Sequence, residues 1–219
     1  MMKMLPAKVA KADQPVKAPA KPGARSPALP KGKKHGKLPG EVRIIGGLYK
    51  RSKLPVADKP GLRPTPDRVR ETLFNWLGQD LSGWRVLDAF AGSGALGFEA
   101  ASRGGAEVLL IESDAALVRS LAAVKARLQA DAVQVIAADA LTWLARCAPA
   151  RFELVLLDPP FDTNLFDTAL AAAAPAVVPG GFLYLEAPRE FADAPAGFTR
   201  HRHLRAGAVH AHLFVRGEG

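Results

Sequence analysis

The sequence predicts an α/β protein built on a mostly parallel sheet, preceded by a small β-hairpin. From residue 84 onward, short apolar runs alternate with Ala-rich stretches of helical character, and a glycine-rich turn follows the first of these runs. Such alternation is typical of repeated β-α units. The last thirty or so residues contain two closely spaced strand-like pieces, which predict a C-terminal antiparallel hairpin. A chain of 219 residues suffices for one such domain and an appendage.

Residues 1–40 are predicted to be a disordered basic tail. They hold nine Lys and one Arg against Asp13, a balance of +9, whereas residues 41–219 sum to zero. A tail of this composition can follow the phosphate backbone of a nucleic acid, or it can serve only to keep the chain soluble. It lacks the apolar core of a secretory signal, and no run is long enough to span a membrane. With a lone Cys147 there is no disulfide framework. We therefore expect a cytoplasmic protein.

Residues 41–62 are predicted to form a basic extension, with a β-hairpin from Glu41 to Val56. A helix is predicted to follow as far as Leu77, with Thr65 as its cap and Pro66 in its first turn. Arg68 and Arg70 lie in that turn, where they oppose the helix dipole. Such charges are explained either by a bound phosphate or by a solvated face.

Between the helix and the C-terminal hairpin, five strands are predicted to alternate with four helices, and Pro179-Gly180-Gly181 is predicted to break the chain before the fifth strand. The predicted strands are Arg85 to Asp88, Glu107 to Ile111, Val133 to Ala137, Phe152 to Leu157 and Phe182 to Glu186. The predicted helices are Ala95 to Arg103, Ala115 to Gln129, Ala140 to Cys147 and Leu165 to Ala174. The hairpin is predicted around Phe198 to Leu204 and Val209 to Val215.

The first predicted strand ends at Asp88 and leads into Gly92, Gly94 and Gly97, the G-x-G-x-x-G spacing of a cofactor loop. On spacing alone, nicotinamide and flavin dinucleotides and S-adenosylmethionine are all compatible. Asp88 favours S-adenosylmethionine, because a carboxylate repels a pyrophosphate and attracts a sulfonium or ammonium group. Glu112, at the end of the second strand, can accept from ribose hydroxyls, unless it is only a solvated acid. Asp139, after the third strand, can accept from an adenine amine or can cap a helix.

The Asp158-Pro159-Pro160-Phe161 motif follows the apolar run from Phe152 to Leu157 directly. An exocyclic base amine is a poor nucleophile because its lone pair is delocalised into the ring. Asp158 and the carbonyl of Pro159 can accept its two N–H groups, and Phe161 can stack on the base. The motif therefore predicts methylation of a base nitrogen in single-stranded, looped or flipped-out nucleic acid, although it can also be a simple turn.

No metal-ligand spacing is visible, and we expect no metal. Four histidines alternate along the late strands, which we interpret as ordinary period-two patterning rather than a zinc site. They are His201, His203, His210 and His212.

On these motifs the chain resembles the bacterial 16S rRNA (guanine-966-N2)-methyltransferases, which modify a loop nucleotide of the small subunit. The resemblance spans about residues 42 to 216 and includes the stretches Arg43 to Gly47, Arg63 to Leu77, Asp88 to Gly94, and Asp158 to Phe161. It implies a seven-stranded Rossmann-like methyltransferase domain over residues 63–219. It also implies S-adenosylmethionine as methyl donor and 16S rRNA, in the small ribosomal subunit or an assembly intermediate, as partner.

The resemblance also implies roles for individual residues. Substrate contacts fall to Asp158, Pro159, Pro160 and Phe161. Cofactor contacts fall to Asp88, Ala89, Gly92, Gly94, Glu112, Ser113, Asp139 and Ala140. RNA contacts fall to Arg43, Lys50, Arg51, Arg63 and Arg68. The basic tail departs from the family pattern.

Other functions stay open at this point. A DNA adenine-N6 methyltransferase can carry the same four-residue motif, but this chain lacks room for a large target-recognition domain. A dinucleotide-dependent oxidoreductase is disfavoured by Asp88, and a non-catalytic ribosome-assembly factor would leave the cofactor loop idle. We expect a monomer.

Overall fold

The computed structural model describes residues 40–57 and 65–218. The predicted tail, apart from Gly40, lies outside the described residues, as does Arg63. Within the described residues, no helix is both long and apolar enough to cross a membrane.

One seven-stranded sheet forms the centre of the protein, in the order β5-β4-β3-β6-β7-β9-β8. Its strands are β3 (Arg85–Asp88), β4 (Glu107–Glu112), β5 (Val133–Ala137), β6 (Phe152–Leu157), β7 (Val177–Ala187), β8 (Phe198–Ala206) and β9 (Val209–Arg216). The first five are parallel, and β9 pairs antiparallel with both β7 and β8. The predicted fold class and C-terminal hairpin are confirmed. From β3 the chain first adds β4 and β5 on one side and then β6 and β7 on the other, so the strand order reverses between β3 and β6. Open α/β sheets bind their ligands at the carboxyl ends of the strands beside such a reversal.

Helices cover both faces of the sheet. They are α1 (Asp67–Trp76), α2 (Ala95–Ser102), α3 (Ala115–Leu128), α4 (Ala140–Leu144) and α5 (Phe166–Ala173), followed by a 3-10 turn at Ala174–Ala176. One buried cluster joins α1, α2 and α3 to the sheet, and a second joins α4 and α5 to the opposite face. All eight residues of α2 are buried, which agrees with its apolar Ala-rich sequence and places it between the sheet and the hairpin described next.

The predicted N-terminal hairpin is present as β1 (Gly40–Arg43) and β2 (Lys53–Val56), which pair antiparallel. From here on, the extension means residues 40–57, which are the described part of the predicted segment together with Gly40. Its turn is fastened to α2 by Glu99, a fully buried carboxylate that accepts from the N–H groups of Ile45 and Gly46, each at 2.8 Å. Arg70 and Arg103 pair with the same carboxylate at 3.4 and 2.8 Å.

Two explanations were predicted for the charge of Arg70 at the start of α1, a bound phosphate and a solvated face, and both were wrong. Its side chain is fully buried, donates to the Arg43 carbonyl at 2.8 Å and also pairs with Asp67. Arg70 therefore joins α1 to the extension rather than binding phosphate or facing solvent. Arg68, two residues earlier, is exposed.

Three local predictions also differ from the structure. Thr65 does not cap α1, because Pro66 is the N-cap residue without a side-chain bond, and the Thr65 hydroxyl faces Asp158 instead. Helix α4 ends at Leu144, since the next turn tightens to i−3 hydrogen bonds. Residues 179–181 do not break β7, because an irregularity in its pairing with β6 absorbs the proline and the glycines, with Gly180 at φ +72°.

Candidate active site

A cavity of about 640 Å³ lies at the carboxyl ends of β3 to β7. Sheet register brings its acids together. Asp88 pairs with Leu156, so Asp158 lies one step further out on the same face, and Glu186 follows Leu185, which pairs with Leu157. The carboxylates of three neighbouring strands thus line one wall.

The described lining of the cavity carries acidic charge and no basic side chain. An anionic pyrophosphate would be repelled from such a site, whereas a cation is attracted. This favours a sulfonium cofactor over a dinucleotide. The acidic residues are Asp88, Glu112, Asp139, Asp158, Asp162 and Glu186.

Asp88 shows most directly whether the cavity suits a cationic cofactor. It is 1% exposed, and its Oδ2 accepts from the Gly97 N–H at 2.9 Å, while Oδ1 is buried and has no hydrogen-bond donor among the described residues. Burial raises the pKa of Asp88 to about 7, and the charges of Glu112 and Glu186 add to the effect of burial. An ammonium or sulfonium group in the cavity would partner the orphaned oxygen, so the residues present fit S-adenosylmethionine.

The three glycines of the cofactor loop have different tasks. Gly92 lines the cavity at φ +52° and donates its N–H to Glu112. Gly94 is the N-cap residue of α2 at φ +76° and is absent from the cavity wall. Gly97 lets α2 approach the sheet, because a Cβ there would come within 2.1 Å of Leu110. The spacing therefore serves the loop and the helix packing together.

Glu112 and Asp139 lie where an adenosine would need acceptors, but each also has a structural bond. The two Glu112 oxygens accept from the N–H groups of Gly92 and Asp114 at 2.9 and 2.8 Å. Asp139 caps α4 by accepting from the Thr142 N–H, and this bond lowers the pKa of Asp139. Each carboxylate oxygen has a second lone pair, so capping and ligand binding are compatible. Ala89, Ser113 and Ala140 line the same cavity.

All four residues of the Asp-Pro-Pro-Phe motif line the cavity. Asp158 is half-buried, and the Thr65 hydroxyl donates to its Oδ2 at 3.5 Å. Burial, together with the charges of Glu186 and Asp88, raises the pKa of Asp158 well above its usual range. Phe161 packs edge-on against Phe166 with ring centroids 6.1 Å apart, which holds its ring in place. A flat base can therefore be bounded by an aromatic face and an acceptor.

Of the residues predicted to contact RNA, the four that the structure describes lie outside the cavity wall. Arg43, Lys50 and Arg51 are exposed on the extension, and Arg68 is exposed on α1, two residues after the cavity-lining Pro66.

Sequence reasoning missed Thr65, Phe90 and Glu186, which also line the cavity. Glu186 had a visible signal. It is a carboxylate that directly follows the apolar run from Phe182 to Leu185, at the end of a predicted strand, as Asp88 does.

Three histidines gather on the C-terminal hairpin, outside the cavity wall. His203 and His210 approach to 3.1 Å, and the ligand atoms of both lie within 4.8 Å of those of His212. His212 is buried, accepts from the Phe191 N–H at 3.0 Å and meets the Leu185 carbonyl at 3.3 Å. Burial lowers the pKa of His212 to about 4. Since both His212 nitrogens are engaged, this ring serves the packing of the hairpin.

Comparisons with known sequences give consistent relatives. Residues 42–215 match the sequence model of the family described as conserved hypothetical protein 95. The chain is 41% identical over 181 residues to "Ribosomal RNA small subunit methyltransferase D" of Escherichia coli (strain K12), covering 81% of this chain and 91% of that protein. It is also 41% identical over 159 residues to the protein of the same name in Haemophilus influenzae, covering 69% and 81%.

Solved structures agree with these matches. "Putative methyltransferase yhhF" from Escherichia coli has a TM-score of 0.74 and 36% identity, over 82% of this chain and 100% of that one. The Thermus thermophilus 16S rRNA N2 G1207 methyltransferase RsmC, solved with AdoMet and guanosine, has a TM-score of 0.55 and 25% identity, over 82% of this chain and 45% of that one.

Proposed function

The chain belongs to the family described as conserved hypothetical protein 95, and on that basis we propose that it methylates the exocyclic N2 of a guanine in 16S rRNA. It is a methyltransferase that uses S-adenosylmethionine and acts on small-subunit rRNA. The observation that carries the chemistry is the acidic cavity at the strand ends, with the orphaned Oδ1 of Asp88 beside the Asp-Pro-Pro-Phe motif.

In the proposed cofactor subsite, Asp88 pairs with the positive charge and Glu112 accepts from the ribose. Asp139 accepts from the adenine amine, and Ala89, Gly92, Ser113 and Ala140 form the surrounding wall. Gly94 contributes by starting α2. When bound, S-adenosylmethionine supplies an electrophilic methyl group on a sulfonium that leaves as a neutral thioether. The methylated amine is then a strong acid and releases its extra proton to water, so no strong base is required.

In the proposed substrate subsite, Asp158 and the Pro159 carbonyl accept the two N–H groups of the guanine amine. These contacts draw the nitrogen lone pair out of the ring and direct it toward the methyl donor. Phe161 stacks on the base, and Pro160 keeps the backbone rigid. Because a base stacked inside a helix could not reach the Asp-Pro-Pro-Phe motif in this cavity, the guanine enters from a loop or after flipping out of a helix.

Outside the cavity, the exposed cations Arg43, Lys50, Arg51 and Arg68 contact RNA phosphates in our proposal, and Arg63 is assigned the same role from its sequence position. We further propose that the enzyme acts as a cytoplasmic monomer on the small subunit or its assembly intermediate.

The direct test is incubation with radiolabelled S-adenosylmethionine and three substrates: small subunits lacking base methylation, naked 16S rRNA, and duplex DNA. Nucleoside analysis should find N2-methylguanosine from a ribosomal substrate, and the two ribosomal arms show whether the assembled subunit is required. Label confined to DNA adenine, or transferred to none of the three, would refute the proposal.

The role of Asp158 has a separate test. Asp158→Ala should reduce turnover by at least about a hundredfold while cofactor affinity persists, because the substitution removes an acceptor of the reacting amine. Asp167→Ala is a matched control, since Asp167 is exposed and pairs with Arg189 outside the cavity wall. Near-normal turnover by the Asp158 variant would exclude the assigned role.

A further inference from the structure

We infer that Glu186 is a specificity-determining residue, which selects guanine by accepting a hydrogen bond from its N1–H group beside Asp158. The inference rests on the proposed function and assigns a base-reading contact to a residue outside the Asp-Pro-Pro-Phe motif. It requires that Glu186 lie next to the reacting amine, that it have an acceptor to offer, and that the contact separate guanine from adenine.

The position of Glu186 follows from the register of β6 and β7. Leu157 and Leu185 are partners in this parallel pair, so Asp158 and Glu186 come next to each other as the two strands end. Both side chains line the same cavity, together with Thr65. Electrostatic repulsion from Glu186 contributes to the raised pKa of Asp158, which agrees with their proximity.

The side chain of Glu186 is held in place. It is 2% exposed, and the buried Tyr184 hydroxyl donates to its Oε1 at 2.9 Å. This bond restricts rotation of the carboxylate, while each carboxylate oxygen retains acceptor capacity for a ligand. A buried acid in a cavity without basic lining residues is costly, and a substrate that brings N–H donors would offset that cost.

Guanine presents such donors side by side, with N1–H adjacent to the N2 amine. If Asp158 and Pro159 take the amine, the neighbouring carboxylate takes N1–H. Adenine has an unprotonated N1 beside its amine, so in the same pose it would set a lone pair against a carboxylate oxygen. A site built to accept a hydrogen bond rejects a ligand that lacks the donor far more strongly than an apolar pocket rejects a small change of shape.

The test replaces the target guanosine by 2-aminopurine riboside, which keeps the N2 amine but lacks N1–H and O6. The change of preference between the wild type and a Glu186 variant therefore isolates the contact at N1. 16S rRNA carrying either base is assembled by ligation and reconstituted into small subunits, and kcat/KM for methyl transfer is measured. The enzymes compared are the wild type, Glu186→Gln and Glu190→Gln. Glu190 is the matched control, because it pairs with Arg200 outside the cavity wall. Glutamine can still accept from Tyr184, so a purely structural role of Glu186 would be preserved.

We expect the wild type and the Glu190 variant to prefer guanine by about 10⁴-fold, the discrimination typical of a site built around a substrate hydrogen bond. In Glu186→Gln this preference should fall by about tenfold or more, because the amide can donate to the bare N1, while the variant still binds S-adenosylmethionine through Asp88. An unaltered preference in Glu186→Gln overturns the inference and leaves the proposed function intact.

The wild-type arm can overturn the inference on its own. Should Glu186→Gln fail to fold, equal wild-type rates on the two bases overturn the inference, and a wild-type preference for guanine supports it. Absence of methyl transfer from the wild type to guanine in any ribosomal substrate is a different result, since it removes the proposed function itself.

Discussion

Asp88→Asn should make the protein without cofactor more stable and at the same time abolish cofactor binding. In the folded protein, burial raises the pKa of Asp88 from 3.8 to about 7, a shift of roughly three units that corresponds to about 4 kcal/mol. Asparagine is nearly isosteric and its amide oxygen can still accept from Gly97. The substitution therefore removes the cost of ionising a buried group while retaining its structural bond.

The sign of the pH dependence follows from the raised pKa. Between pH 3.8 and about 7 the folded carboxyl keeps a proton that the unfolded chain has released, so the wild type loses stability as pH rises through this window. The asparagine variant lacks this loss. Its stability relative to the wild type should grow by about 3 kcal/mol between about pH 5 and pH 8.5.

Urea unfolding at the two pH values, with and without S-adenosylmethionine, measures both effects. The cofactor should raise the midpoint of the wild type and leave the variant unchanged, because only a carboxylate can pair with the cation. Asp193→Asn is the matched control, since Asp193 is exposed and lies outside the cavity wall. A stability difference independent of pH, or cofactor binding by the variant as tight as that of the wild type, would refute the reasoning.

Two further predictions concern the anchoring of the extension and the exposed cations on the extension and α1. Glu99→Gln should lower the free energy of unfolding by about 3 kcal/mol, because it leaves Arg70 and Arg103 without their buried counter-charge. It should also speed hydrogen exchange at the Ile45 and Gly46 amides, which donate to Glu99. Amides that stay protected at both positions would contradict this prediction. Changing Lys50 and Arg68 to Ala should weaken subunit binding and reduce the slope of log affinity against log salt by about one per residue. An unchanged slope would exclude phosphate contacts by these two cations.

The parts of the fold and site that depend on local sequence could be predicted. Strands such as Val133–Ala137 and Phe152–Leu157 were predicted with the observed bounds, because a short apolar run between turn signals has few other interpretations. Asp88 and Asp158 were recognised because each ends such a run next to a second informative feature, a glycine loop or paired prolines.

What escaped prediction depends on partners distant along the chain. Arg70 has the same chemistry as Arg68, yet Arg70 is buried and Arg68 is exposed. Arg70 is buried because it pairs with the buried carboxylate of Glu99, 29 residues further along the chain. Thr65 was assigned to a helix cap, while its hydroxyl faces Asp158, 93 residues away. Glu186 becomes part of the site only when β7 pairs beside β6, which the sequence of β7 alone does not reveal.

The attachment of the extension to α2 bears on how such an enzyme can be redesigned or recombined. The same short helix starts at the cofactor loop and, through Glu99 and Ser102, binds the turn of the extension. If the hairpin were transplanted without the matching face of α2, it would lack its buried anchor. An α2 left without the hairpin would keep Glu99 with acceptors that no N–H group fills. Recombination between related enzymes should therefore preserve the hairpin and α2 as one inherited block, with crossovers placed after Ser102 rather than between the two.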